Sequence, residues 1–343
     1  MSDLTVASGV ARALMDLAAS KGASRDTLAK RSGIERKDLV DQDNRVAFAK
    51  YIALMRAAKE LTNDPALALH FGEAMELSEF SILGLIGPAS GSMADAFAQL
   101  NRFSRLVIEV DLGTAERYQL APGDGGVWLI DTRLNPNAFP ELTESAFSRI
   151  MSGVSQIATA SRPLAGTPIV KAVHVTHADP GYRAEYDRIF RVPVVFESDK
   201  NAMLLDGALL TQKVPTQPRY VFGVLSKRAE ALLKSLEDSK STRGRVESLL
   251  MPVLHKGDVN IEAVADKMGV TRWTLFRRLK AEGTTFEKVL DELRHKLALH
   301  YLFGKKVSVN EAAYLVGFSE PAAFSRAFKR WTGTSPRLMR SRR

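Results

Sequence analysis

The chain has 343 residues and no cysteine. Disulfides, thiolate metal sites and cysteine redox sensing are thereby excluded. No apolar run approaches the ~20 residues of a membrane span, and no charged-apolar-small leader opens the chain, so a cytoplasmic protein with no membrane partner is expected. Neither a G-x4-G-K-[ST] loop nor a G-x-G-x2-G turn is present, which leaves nucleotide phosphate binding without support. Glu144, Ser145 and Ser148 share a helix but lack the G-x-S-x-G elbow that exposes a nucleophile. His174 and His177 form H-x2-H in a strand-like stretch, where residues three apart point to opposite faces. No catalytic set, cofactor or metal is called for, and the chain does not read as an enzyme.

What is present is charge of one sign, concentrated at one end. Residues 241–343 hold 20 Lys and Arg against 10 Asp and Glu, whereas residues 1–240 hold 28 against 29. The whole basic excess therefore sits in the last hundred residues. Phosphate neutralisation with counterion release needs such a concentrated field. The same region carries one pattern twice. Ala-x3-Gly-[apolar]-[Thr/Ser] begins at Ala265 and again at Ala313, 48 residues later. The segment Leu275-Phe276-Arg277-Arg278-Leu279-Lys280 recurs as Phe324-Ser325-Arg326-Ala327-Phe328-Lys329, offset by 49, which places one extra residue early in the second helix of the second copy. Each copy reads as helix, glycine turn, helix. Glycine adopts the left-handed backbone at low cost, and Thr271 or Ser319 is expected to cap the helix that follows. This is a tandem helix-turn-helix.

At about 100° per residue, the second helix of each copy has two faces. Leu275 and Leu279 lie opposite Trp273, Phe276, Arg277 and Lys280. Phe324, Phe328 and Trp331 lie opposite Ala322, Ser325, Arg326 and Lys329. Exposed Trp273 and Phe276 are poor surface choices unless something covers them, and thymine methyls in a major groove can do so. Arg277 and Arg326 suit bidentate pairing with guanine, or else a phosphate contact. Lys280, Lys329 and Arg330 suit phosphate. Ala322 admits close approach to a thymine methyl, and Pro321 reads as a helix starter.

Residues from about 245 to 343 resemble the DNA-binding domain of the AraC/XylS family of bacterial transcription regulators. The piece that carries this most strongly is Ala312-Ala313-Tyr314-Leu315-Val316-Gly317-Phe318-Ser319-Glu320-Pro321-Ala322-Ala323-Phe324-Ser325-Arg326-Ala327-Phe328-Lys329-Arg330. The resemblance implies two helix-turn-helix units joined by a rigid helix, here 286–303 with Arg294, Ala298 and Leu302 on its family-typical face, entering adjacent major-groove segments of promoter DNA. It also implies Trp273, Phe276 and Arg277, then Pro321, Ala322, Ser325 and Arg326, as base-facing positions. Phe276 stands where many relatives carry a polar reader, which points the first helix toward methyl groups and shape. An activator acting with RNA polymerase is the family expectation.

A chain this long suggests two domains. The expected organisation is an α+β effector-binding and dimerisation domain over 1–214, a linker with a helix over 215–244, and an all-α DNA-binding domain over 245–343. Within the first part, helices are expected at 4–20, 25–32, 45–62, 65–75, 93–105 and 141–160. Strands are expected at Val107–Val110, Tyr118–Leu120, Val127–Asp131, Ile169–Val175, Val194–Phe196 and Met203–Leu205, with a turn at Gly123–Gly126. A helix over 220–238 should lead to a polar hinge, Asp238–Gly244. Leu83-Gly84-Leu85-Ile86-Gly87-Pro88-Ala89-Ser90 and Phe190–Phe196 resemble the effector domain of one subgroup, named for arabinose binding. Phe80, Ile82, Leu83, Leu85 and Ile86 read as core more readily than as a pocket. The function expected is a sequence-specific, ligand-responsive regulator, a homodimer with an unidentified small-molecule effector. The alternative is a metabolite-modifying domain fused to a DNA-binding module, which would need a nucleophilic cysteine or a metal cluster.

Overall fold

The computed structural model describes residues 4–114, 116–160, 169–211, 219–257, 259–304 and 307–341. Two compact units divide at Leu233/Lys234, inside a helix. Among the described residues no helix is long and apolar enough to cross a membrane.

The N-terminal unit opens with β1 (Thr5–Ala7), α1 (Ser8–Ser20), α2 (Arg25–Ser32), β2 (Arg45–Ala47), α3 (Phe48–Leu61), α4 (Leu67–Ala74), α5 (Ile82–Ile86) and α6 (Met93–Val107). Helices expected from residues 4 and 45 begin later, because Thr5–Ala7 and Arg45–Ala47 pair as a short antiparallel ladder. That pairing joins residues some forty apart, which local periodicity cannot register. Val107–Val110 is not a strand either. Val107 ends α6, and Ile108 makes a single bridge to Val6. Val10, Leu14, Tyr51, Leu54, Met55, Phe103 and their neighbours form one core, and Phe80, Leu83 and Ile86 belong to it.

A second core lies against a five-stranded sheet. Its strands are β3 (Tyr118–Gly123), β4 (Gly126–Asp131), β5 (Val170–His174), β6 (Val194–Val195) and β7 (Asn201–Leu205), ordered β3-β4-β7-β5-β6. Only the β5–β6 pair is parallel. The β3–β4 turn closes on Gly123 opposite Gly126, with Gly125 at φ +81°. Two helices, α7 (Glu141–Ala160) and α8 (Arg183–Phe190), contribute Phe147, Tyr186 and Phe190 to the core beneath the sheet. The short helix α9 (Ala208–Thr211) precedes α10 (Arg219–Lys240).

The C-terminal unit contains α11 (Thr242–Leu250), α12 (Ile261–Lys267), α13 (Arg272–Ala281), α14 (Phe286–Leu299), α15 (Val309–Leu315), α16 (Pro321–Thr332) and α17 (Pro336–Ser341). The expected hinge at Asp238–Gly244 is instead a tight corner, with α10 running to Lys240 and Ser241 alone outside helix. Ser241 Oγ accepts the Gly244 N–H at 2.9 Å, and Glu282 accepts from the N–H groups of Thr242 (2.7 Å) and Arg243 (3.0 Å). A carboxylate at a helix N-terminus satisfies donors that have no intrahelical partner. Gly244 is required here, because a Cβ would lie 1.9 Å from the Asp238 carbonyl oxygen. The polar run thus forms a capped corner between α10 and α11.

Two small cores lie along α14. Phe286, Val289 and Leu293 pack with Leu275 and Leu279, whereas Ala298 and Leu302 pack with Phe324 and Phe328. The helix expected over 286–303 stays α-helical to Leu299 and widens into a π-turn over His300–Gly304.

Candidate nucleic-acid interface

The two repeats fold alike down to single hydrogen bonds. Asn260 Oδ1 accepts from Ala263 N to start α12, and Ser308 Oγ accepts from Glu311 N to start α15. Both helices end at glycine, Gly269 at φ +66° and Gly317 at φ +81°. Beyond the glycine, Val270 N donates to Ala265 O at 3.0 Å, and Phe318 N donates to Ala313 O at 3.0 Å. This reversed bond after a left-handed residue closes a helix C-terminus and turns the chain. The repeated Ala and Gly thus have one cause. The alanine is buried against the core, and the glycine carries the backbone away.

The starts of the two exposed helices differ. Thr271 Oγ1 accepts from Thr274 N at 3.2 Å and caps α13. Ser319 does not cap α16. Glu320 is the N-cap residue, without a side-chain cap bond, and Pro321 takes the first helical position. Proline lacks an N–H and has a preset φ, so it fits best where the first helical N–H is orphaned anyway. The extra residue of the second copy consequently lies before the helix and not within it.

From that point the two helices run in phase. Leu275 and Leu279 are fully buried in α13, as are Phe324 and Phe328 in α16, while Trp331 is only partly buried. On the outward face of α13, Arg277 and Lys280 are exposed, Trp273 is 65% exposed and Phe276 41%. The rings of Trp273 and Phe276 stack at 5.7 Å with 20° between planes, forming a flat apolar plate. On α16, Ala322, Arg326, Lys329 and Arg330 are exposed, and Pro321 and Ser325 half-buried. Among the described residues Arg277, Lys280, Arg326 and Lys329 have no carboxylate within ion-pair distance, so their charge faces outward uncompensated. Arg330 differs, because it pairs with Asp291 of α14. Arg272, next to the plate, pairs with Glu262 at 2.8 Å.

Arg294 holds the second turn against α14. Its guanidinium lies 4.8 Å from the Phe318 ring centroid and donates to Gly317 O at 3.4 Å. Burial lowers its pKa from the ordinary arginine value. Sequence spacing had placed Arg294 on one face with Ala298 and Leu302, both buried. The ion pairs of Arg330 and Arg272 left no local sequence signal, whereas the i, i+3 spacing of Trp273 and Phe276 had already put both rings on one face.

The residues weighed for catalysis are occupied otherwise. Ser148 Oγ donates to Leu69 O at 2.7 Å and Ser145 Oγ to Leu142 O at 3.3 Å. Glu144 accepts from the hydroxyls of Tyr182 and Tyr186, and burial raises its pKa. His174 meets Ser198 Oγ at 2.9 Å, whereas His177 Nε2 lies 3.1 Å from the Tyr186 hydroxyl. The two histidines do not converge.

Residues 22–214 match the family described as the arabinose-binding domain of AraC transcription regulators, N-terminal, and residues 264–342 match a helix-turn-helix domain family. An ornithine utilization regulator of Pseudomonas aeruginosa is 28% identical over 328 residues, covering 95% of this chain and 93% of its own. The transcriptional activator RhaS of Escherichia coli is 37% identical over 118 residues, 34% of this chain and 42% of its own. Among solved structures, the transcriptional regulator CdpR of Pseudomonas aeruginosa covers 84% of this chain and 91% of its own at 23% identity and a TM-score of 0.38.

Proposed function

Because the chain belongs to the AraC family of transcription regulators, we propose that it binds promoter DNA through α13 and α16 and responds to a small-molecule effector held by its N-terminal unit. The observation that carries this reading is the pair of in-phase faces. Arg277 and Lys280 recur as Arg326 and Lys329, all exposed and without carboxylate partners among the described residues. Arg277 and Arg326 are assigned to bases, Lys280 and Lys329 to phosphate, and the Trp273–Phe276 plate to thymine methyls. Arg330 is assigned to bracing α16 on α14 as well as to the phosphate edge. The RhaS name supports an activator, and RNA polymerase is the partner we assign to it. The name of the Pseudomonas relative supports a small metabolite as effector.

Residues 234–343 should fold alone and bind DNA, since they hold both helix-turn-helix cores and form one compact unit. Circular dichroism and a salt titration against the chain's own upstream region check this. A coil spectrum, or no binding at low salt, would refute it. Specific binding should fall steeply with salt, because each neutralised phosphate steepens the log-log slope by about 0.9.

The full chain is read as a homodimer joined through the N-terminal unit. That unit carries no basic excess, and a second copy would double the DNA contacts, its readers engaging at the effective concentration set by the first. Sedimentation of the full chain and of residues 1–233 at tens of micromolar checks the assignment. Monomers in both would sink it.

A further inference from the structure

A concavity of about 630 Å³ lies between the end of α4, the segment 75–79, α5, α7 and the first turns of α10. Its size is that of a small-metabolite site. Met75, Leu85, Val221 and Leu225 supply apolar wall, and Leu85, half exposed, is the one residue of the 80–86 stretch read as core that faces it with its neighbour Gly84.

Two opposite charges line the same space without meeting. Arg149 comes from α7 and Glu76 from the segment after α4. Among the described residues Arg149 has no carboxylate within ion-pair distance, and the polar contact it makes is to Met75 Sδ at 3.7 Å, a weak acceptor. Glu73, which lines the same space, is engaged elsewhere, taking Arg188 at 3.0 and 2.7 Å. Burial is the largest influence on Arg149 and lowers its pKa from the ordinary arginine value. An arginine keeps its proton, so an enclosed guanidinium lacking an anion is unfavourable until one arrives. Glu76 is exposed at the rim of the same space and has no ion-pair partner among the described residues, so it is free to take a ligand cation.

We infer, resting on the effector reading above, that this concavity is the effector site and takes a free amino acid or close amino-acid relative, its carboxylate on Arg149 and its ammonium on Glu76. A neutral sugar would leave the guanidinium without an anion, and a simple carboxylate would gain nothing from Glu76, whereas an ammonium beside the carboxylate meets it. The apolar wall suits an aliphatic stem. Val221 and Leu225 come from the first turns of α10.

The test is thermal unfolding of the full chain with each of the twenty proteinogenic amino acids and with ornithine, arabinose serving as control. At least one amino acid should raise Tm by about 5–10 °C at roughly a hundred times its Kd, and arabinose should not. The decarboxylated and deaminated forms of the active compound should have no effect. Arg149→Met should weaken binding at least about tenfold and Glu76→Gln similarly, with Arg149→Lys partly retaining it. The ligand-free Arg149→Met protein should melt at or above wild type, because an unpaired charge has been removed; a structural arginine would give a lower Tm. The assignment is overturned if no amino acid shifts Tm, if Arg149→Met binds as wild type does, or if Arg149→Met alone melts well below wild type. Promoter binding measured in parallel separates the two readings. Bound operator with no amino-acid response defeats the ligand assignment alone, whereas an unbound operator defeats the regulator reading.

Discussion

Replacing Arg277 or Arg326 with alanine is expected to weaken specific promoter binding by about 1–3 kcal/mol each and to relax preference at one base position per residue. Both side chains stand on outward faces set by buried residues two positions away on either side, Leu275 and Leu279 in α13, Phe324 and Phe328 in α16. Because the two arginines belong to different helices with no shared partner, the double variant should lose about 2–6 kcal/mol. Lys280→Ala should act differently, weakening all sequences alike and lowering the salt slope by about one. Binding-site selection with each variant checks the division. If both arginine variants kept wild-type base preferences, readout would have to lie elsewhere, with the Trp273–Phe276 plate as the nearest alternative.

The two turn glycines should respond unequally to the same substitution. Gly269 and Gly317 both have positive φ, so alanine at either position incurs backbone strain of about 1–2 kcal/mol. At Gly269 a Cβ would meet nothing within 4 Å, and strain is the whole effect. At Gly317 the Cβ would lie 2.2 Å from Leu254 O, a backbone atom that cannot swing aside. Leu254 belongs to the first core, so the clash would push the second turn away from the first repeat. Gly317→Ala should therefore cost about 3 kcal/mol or more, and Gly269→Ala about half that. Denaturant unfolding of residues 234–343 measures both. Equal losses would show that the close approach at Gly317 relaxes freely.

Much of this architecture was legible in the residues. Helices α2, α3, α4, α6 and α7 fall within a few residues of their expected spans, and five of the six expected strands form. The signals were local: Ser92 accepting from Asp95 N, the 123–126 hairpin turn, the periodic apolar stripes. The strand expected at 107–110 did not form because α6 runs on to Val107, leaving Ile108 a single bridge to Val6, and the corner within 238–244 is capped by Glu282, some forty residues along the chain.

By itself the sequence determined the repeated helix-turn-helix, the outward faces of its two exposed helices and the segregation of positive charge. Each depends on backbone bonds and side-chain spacing within about one or two helical turns, which a linear pattern records. Tertiary structure alone decided which cations remain unpaired. Arg330 and Lys329 are neighbours in sequence, yet one meets Asp291 and the other meets no carboxylate among the described residues. Arg149 gave no pattern at all, and its meaning arose only where α7 faces the end of α4 and the first turns of α10. Charge compensation is a property of distance in space, and residues 39 apart, as Asp291 and Arg330 are, can decide it without any trace in local spacing.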